Sequence, residues 1–106
     1  MDGWTRVCAR DEMAPGEFRV VAAEGTMIAV FNIDGHHYAI EDVCTHDGGE
    51  LAGGPIHGFE VECPRHGARF DVRNGAVCAP PAQTPTASFP VRVDDEGVWT
   101  RDDRWD

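Results

Sequence analysis

Apolar residues in this chain fall in short runs separated by glycine-containing turns, and no run keeps a helical period long enough to predict a helix. The longest run, TMIAVFNI at 26–33, predicts a strand, and 37–41 predicts another. Between them Asp34-Gly35 is the dipeptide that supplies positive φ for a tight hairpin. An earlier strand is expected at 18–22, with Glu24-Gly25 as its turn. Further on, 59–62 and 69–72 read as short strands, and Asn74-Gly75 signals a second hairpin leading into 76–77. A last pair, 89–93 and 98–101, flanks an acidic turn containing Gly97. The expected class is all-β, a small antiparallel sandwich or barrel.

Length confines this reading to one domain, residues 1–106, too short to hold a catalytic domain beside a metal module. Such a chain buries only roughly 60–70% of its unfolded surface, so a bound metal could contribute to folding. The formal net charge is −10, and all nine basic residues are arginine. Without basic clusters, binding to nucleic acid or to an anionic membrane is not expected. The balance favours a soluble monomer whose partner offers a basic face. The N-terminal stretch MDGWTRVCARDEMAPGEF has scattered charges and no apolar run, which is neither a signal peptide nor a membrane span. A reducing cytoplasm is therefore expected, with the four cysteines serving as ligands or thiols and not as disulfides.

Two of those cysteines stand in paired motifs. Cys44-Thr45-His46 and Cys63-Pro64-Arg65-His66 form the pattern C-x-H-x16-C-x2-H, and each half runs into glycine, at Gly48-Gly49 and at Gly67. Glycine lets backbone pass close to a cofactor with its amide N–H groups exposed to it. One Zn²⁺ would accept two Cys and two His in a tetrahedron, but zinc fingers usually carry a Cys pair on one arm and a His pair on the other. Here each arm has one of each. That interleaving suits a two-iron cluster in which one iron takes both thiolates and the other both imidazoles, the ligand set of a Rieske [2Fe–2S] centre.

With the boxes CTHDGG and CPRHGARFD, the chain resembles Rieske-type ferredoxins, most of all the small ferredoxins that serve bacterial ring-hydroxylating dioxygenases. The resemblance covers nearly the whole chain. It implies an antiparallel β sandwich with a smaller cluster-binding subdomain at about 42–81. It makes Cys44 and Cys63 ligands of an inner iron and His46 and His66 ligands of an outer one, with Pro80-Pro81 in a loop covering the cluster. Respiratory-complex Rieske proteins, also similar, carry an extra Cys in each box, forming a disulfide, and hydroxyl residues after the second box. This chain has Gly49 and Arg65 at the first pair of positions and Ala68 and Phe70 at the second. Hydrogen bonds to cluster sulfur stabilise the more negative reduced state, so their loss predicts a low reduction potential. Glu41, Asp42, Asp47, Glu50, Glu60 and Glu62 act in the same direction, since residues 41–62 contain neither lysine nor arginine.

Other residues have simpler expectations. Cys8 and Cys78 are read as small buried or half-buried side chains, and His36, His37 and His57 as surface residues. Trp4, Trp99 and Trp105 are read as core or edge packing, and the six acids of residues 94–106 as a solubilising tail. No GxGxxG fingerprint is present, and no 2-His-1-carboxylate set remains once two histidines are assigned to a cluster. The expected role is a one-electron carrier, not an enzyme, between an NAD(P)H-dependent flavoprotein reductase and a Rieske non-haem iron oxygenase. Two alternatives stay open at this level: a small Rieske subunit of a larger enzyme such as an assimilatory nitrite reductase, and a zinc-stabilised interaction module.

Overall fold

Eleven short strands and no helix make up residues 3–104, the part of the chain that the computed structural model describes. In chain order they are β1 (Thr5–Cys8), β2 (Phe18–Ala23), β3 (Thr26–Ile33), β4 (His36–Glu41), β5 (Ile56–His57), β6 (Glu60–Glu62), β7 (Arg69–Asp71), β8 (Val77–Ala79), β9 (Ser88–Phe89), β10 (Val91–Asp94) and β11 (Gly97–Thr100). They form three antiparallel sheets, ordered β1-β11-β10, β2-β3-β4-β9 and β5-β6-β7-β8.

The second sheet is the middle layer, and β3 shows why its sequence is apolar on both faces. Ala29 and Phe31 point into one core with Ile40, Leu51, Val61, Phe70 and Val72. Ile28 and Val30 point into the other, with Met13, Ala39, Phe89 and Val98. A strand covered on both faces needs a continuous run and not an alternation. Its register is fixed by two-residue turns: Ala23 pairs with Thr26, and Ile33 with His36. Glu24 and Gly25 have φ of 53° and 85°, and Asp34 and Gly35 of 53° and 88°, the successive positive values a two-residue hairpin of this hand requires.

The structure departs from expectation in several places. The predicted strand 89–93 is two strands, because Pro90 has no N–H for the ladder. Before it β9 pairs with β4, and after it β10 pairs with β11 in a different sheet. β1 was not expected, nor was the two-residue β5. Asn74-Gly75 does not make a tight hairpin, since Phe70 pairs with Val77 around a longer loop that Gly75 closes by donating to Asp71 O. Within the segment 94–106, expected as a solubilising tail, the described residues to 104 do more than that. Asp102 is buried, and Arg104 binds it at 2.7 Å while reaching Glu41 at 3.0 Å and lying over the Phe89 ring. This ties the end of the described chain to β4.

Cys8 is buried as expected, whereas Cys78 is exposed on edge strand β8. His36 and His57 are exposed, but His37 is half-buried with Nε2 unpartnered, and burial followed by repulsion from His36 lowers its pKa. Trp4 lies beneath Arg101, Trp99 on the central strand β11 donates to Asp94 of the edge strand β10, and Trp105 falls outside the described residues.

Candidate metal centre

The two boxes fold into the same loop. In the first, Cys44 N donates to Gly49 O at 2.7 Å and Gly48 N donates back to Cys44 O at 2.7 Å. In the second, Cys63 N donates to Ala68 O at 2.6 Å and Gly67 N to Cys63 O at 3.1 Å. Gly48 and Gly67, each four residues after its cysteine, have φ of 78° and 79°. A side chain there would be strained, so the turn that returns the backbone to the cysteine amide calls for glycine.

This equivalence sets Cys44 against Cys63, His46 against Arg65, and Asp47 against His66. Both thiols point inward, at 0% and 1% exposure, among Ile40, Leu51, Val61, Ala68 and Phe70. Both imidazoles are exposed, their ring centroids 5.1 Å apart and their planes nearly perpendicular. Donor atoms of Cys44, Cys63 and Asp47 lie within 4.8 Å of one another, and so do those of His46, His66 and Asp47. Among the described residues no such group mixes thiols with imidazoles. A single tetrahedral zinc would need all four donors around one point. Thiol paired with thiol and imidazole paired with imidazole fits two adjacent irons.

Asp47 is the joint between the halves. Its Oδ1 accepts from Gly49 N at 2.9 Å, and its Oδ2 accepts from His66 Nδ1 at 3.1 Å. The Gly49 bond first, then His66 and the charge of Arg65, hold its carboxyl below the usual value. Burial, the largest influence on Cys44, raises its thiol pKa, so taking up metal there includes expelling a buried proton. Behind the first loop, Asp42 is also buried. Its Oδ1 accepts from Leu51 N and Ala52 N at 2.8 Å each, pinning the chain as it leaves the box.

The proline-containing loop lies beside the first box. Pro80-Pro81 is a cis peptide, and Pro81, Gln83 and Thr84 line a hollow of about 240 Å³ with Thr45 and His46. Thr45 Oγ1 donates to Thr84 O, joining this loop to the cysteine loop. Ala68 and Phe70 are fully buried and bring no hydroxyl to the site. Gly49 and Arg65 face each other: a methyl group on Gly49 would stand 3.1 Å from Arg65 Nε.

Of the six carboxylates in residues 41–62, five are engaged within the molecule. Glu41 pairs with Arg104, Glu60 with Arg69, and Glu62 with His57 and Arg69; Asp42 and Asp47 bind the loops. Only Glu50 is exposed without such a contact. Sequence reasoning counted these acids as one field and missed the separate tasks of Asp42, Asp47 and Arg65. Asp47 had one legible signal, its place between His46 and the two glycines.

Residues 3–90 match the Rieske [2Fe-2S] domain family. The ferredoxin subunit of biphenyl dioxygenase from Pseudomonas sp. (strain KKS102) is 38% identical over 96 residues, covering 90% of this chain and 88% of its own. The ferredoxin of carbazole 1,9a-dioxygenase from Nocardioides aromaticivorans IC177 superposes with a TM-score of 0.89 at 32% identity, covering 94% of this chain and 98% of that one. A chain in the complex of reduced oxygenase and oxidized ferredoxin of carbazole 1,9a-dioxygenase also gives 0.89, at 35% identity over 95% of this chain and 94% of its own.

Proposed function

The chain belongs to the Rieske [2Fe-2S] domain family, and from that premise we propose that it is the ferredoxin of an aromatic-ring dioxygenase system. In this reading it carries one electron at a time from an NAD(P)H-dependent flavoprotein reductase to a terminal Rieske non-haem iron oxygenase. Cys44 and Cys63 hold one iron, and His46 and His66 hold the other. When bound, the [2Fe–2S] group supplies one-electron chemistry at low potential. The whole chain serves as one domain, with its cluster-binding part at about 42–81, where both boxes and the β5-β6-β7-β8 sheet lie.

One observation carries the reading: the thiol pair is sealed in the core while the imidazole pair stands in solvent. The buried side keeps water from the sulfur ligands, and the exposed side leaves the histidine edges open to a partner. The oxygenase partner is supported by the carbazole complex, whose ferredoxin chain this one resembles along nearly its whole length. A net charge of −10, with no described helix long and apolar enough to cross a membrane, supports a monomer that moves between partners in the cytoplasm.

Reconstitution tests it. The protein loaded with iron and sulfide should take up one electron per chain. It should also couple NAD(P)H oxidation by a flavoprotein reductase to ring dihydroxylation by a terminal oxygenase, at a rate that saturates with its concentration. A loaded protein that transfers no electron to any such oxygenase, yet co-purifies with a large reductase at fixed stoichiometry, would replace this reading with the subunit alternative.

A further inference from the structure

Eight of the nine arginines are engaged within the molecule by a hydrogen bond, an ion pair or a ring contact. Arg6, Arg19 and Arg10 bind carbonyls or Asp95; Arg69, Arg73, Arg92 and Arg104 pair with carboxylates; Arg101 lies over Trp4. Of the nine arginines, all of them among the described residues, Arg65 alone has no hydrogen bond, ion pair within 4.0 Å or ring contact. It is exposed, it precedes His66 directly, and it holds in the second loop the place His46 holds in the first. Its side chain lies across Gly49, where any Cβ would meet Nε at 3.1 Å, so the glycine leaves room for the arginine to rest there. It borders an open polar groove of about 470 Å³ lined by Gly48, Gly49, Glu50, Ala52, Pro64 and Arg65. Of the two carboxylates nearby, Asp47 is already bound to His66 and Gly49, and Glu50 lines the groove without an ion pair to Arg65.

We propose that Arg65 is a docking contact that receives a carboxylate of the electron-transfer partner in the groove beside His66. This rests on the carrier reading. A partner close enough to exchange electrons through the imidazoles must cover Arg65 too, and a guanidinium stripped of water needs a replacement acceptor. A carboxylate matches its planar fork with two parallel bonds and cancels its charge. The partner's face is therefore patterned: basic where it meets the acidic body of this protein, acidic at one point beside the electron exit. Such an alternation fixes orientation, because a rotated partner would place like charges together.

The test uses the cluster-loaded protein and oxalate complexes as carboxylate probes. Tris(oxalato)chromate(III) is redox-inert, paramagnetic and anionic, so a protein of charge −10 repels it everywhere except at a local cation. Its line broadening should centre on the amides of Glu50 and Ala52 and vanish in Arg65→Gln. Arg10→Gln, with the same net charge, should leave it unchanged. Reduced protein gives one electron to tris(oxalato)cobaltate(III), taking cobalt(III) to cobalt(II). That rate should fall about threefold in Arg65→Gln, while the rate with hexaammineruthenium(III) does not fall. Should the glutamine variant fail to load, Arg65→Lys keeps the charge, loses the fork, and should still weaken the broadening at least twofold. Broadening that is absent, that centres elsewhere, or that ignores residue 65 would overturn the proposal. A protein that never acquires the cluster spectrum would instead sink the carrier reading itself.

Discussion

His66 Nδ1 stands 3.1 Å from Asp47 Oδ2, so the two cysteine loops meet through residues at equivalent positions, each three places after its cysteine. In one loop that place is an imidazole and in the other a carboxylate. The carboxylate also accepts from Gly49 N, which rigidifies the first loop while it touches the second. A fixed negative charge at this point opposes the extra electron of a reduced cluster.

Asp47→Asn should therefore raise the reduction potential. The amide keeps an oxygen for Gly49 N but removes the charge, and one partly exposed charge near a redox centre is worth on the order of 50 mV for one electron. Voltammetry of both proteins checks it; an unchanged or lower midpoint would deny Asp47 this role.

Potential should also respond at Ala68, which is fully buried in the second loop. The wild-type midpoint is expected in the lowest third of the range of roughly −150 to +300 mV open to Rieske centres. Ala68→Ser adds a donor and should raise it by up to ~40 mV, the equivalent of about 1 kcal/mol. A wild-type value near the top of the range would contradict the argument from missing hydroxyls.

Internal pairing of the carboxylates leaves salt little to act on. Glu50 is the one acid of residues 41–62 left to steer a partner by itself. Glu50→Lys should weaken the decline of electron-transfer rate with ionic strength, because exposed charges are screened beyond ~8 Å at physiological salt. Indifference to both salt and this reversal would make Glu50 ordinary surface.

Much of this was legible along the chain. Asp34-Gly35 and Glu24-Gly25 announced their turns because positive φ is a local demand, and the metal motifs stood out because the ligand types are scarce. What stayed hidden depends on distant partners. β1 is four residues long and exists through pairing with β11 at the other end of the chain. Pro90 could be seen in the sequence, but not that the chain changes sheets there. The link from Arg104 to Glu41 spans 63 positions, so no local pattern could separate these charges from a solvated tail.

That link gives a prediction in acid. Arg104 first, then Thr26, hold the Asp102 carboxyl well below its ordinary 3.8. A depressed folded-state pKa means stability that is present above the unfolded value and lost as pH falls through the folded one. Asp102→Asn should thus lower the melting temperature at neutral pH, with the gap to wild type closing as pH drops below about 3.8. A gap that stays constant down to strong acid would show that the charge is not what matters.

Packing behind the thiols is equally exposed to test. Leu51 is fully buried in the same core as Cys44 and Cys63. Leu51→Ala should cost about 2–5 kcal/mol of unfolding free energy, and the denaturant midpoint reads it directly.

Two thiols on one iron and two imidazoles on the other make the irons chemically distinct. Mössbauer spectroscopy of protein loaded with ⁵⁷Fe reads that difference. Two distinguishable iron sites of equal area are expected when oxidised, with reduction converting one of them and leaving the other ferric. Two equivalent irons, or a protein that takes up one zinc and no sulfide when iron is ample, would contradict that arrangement.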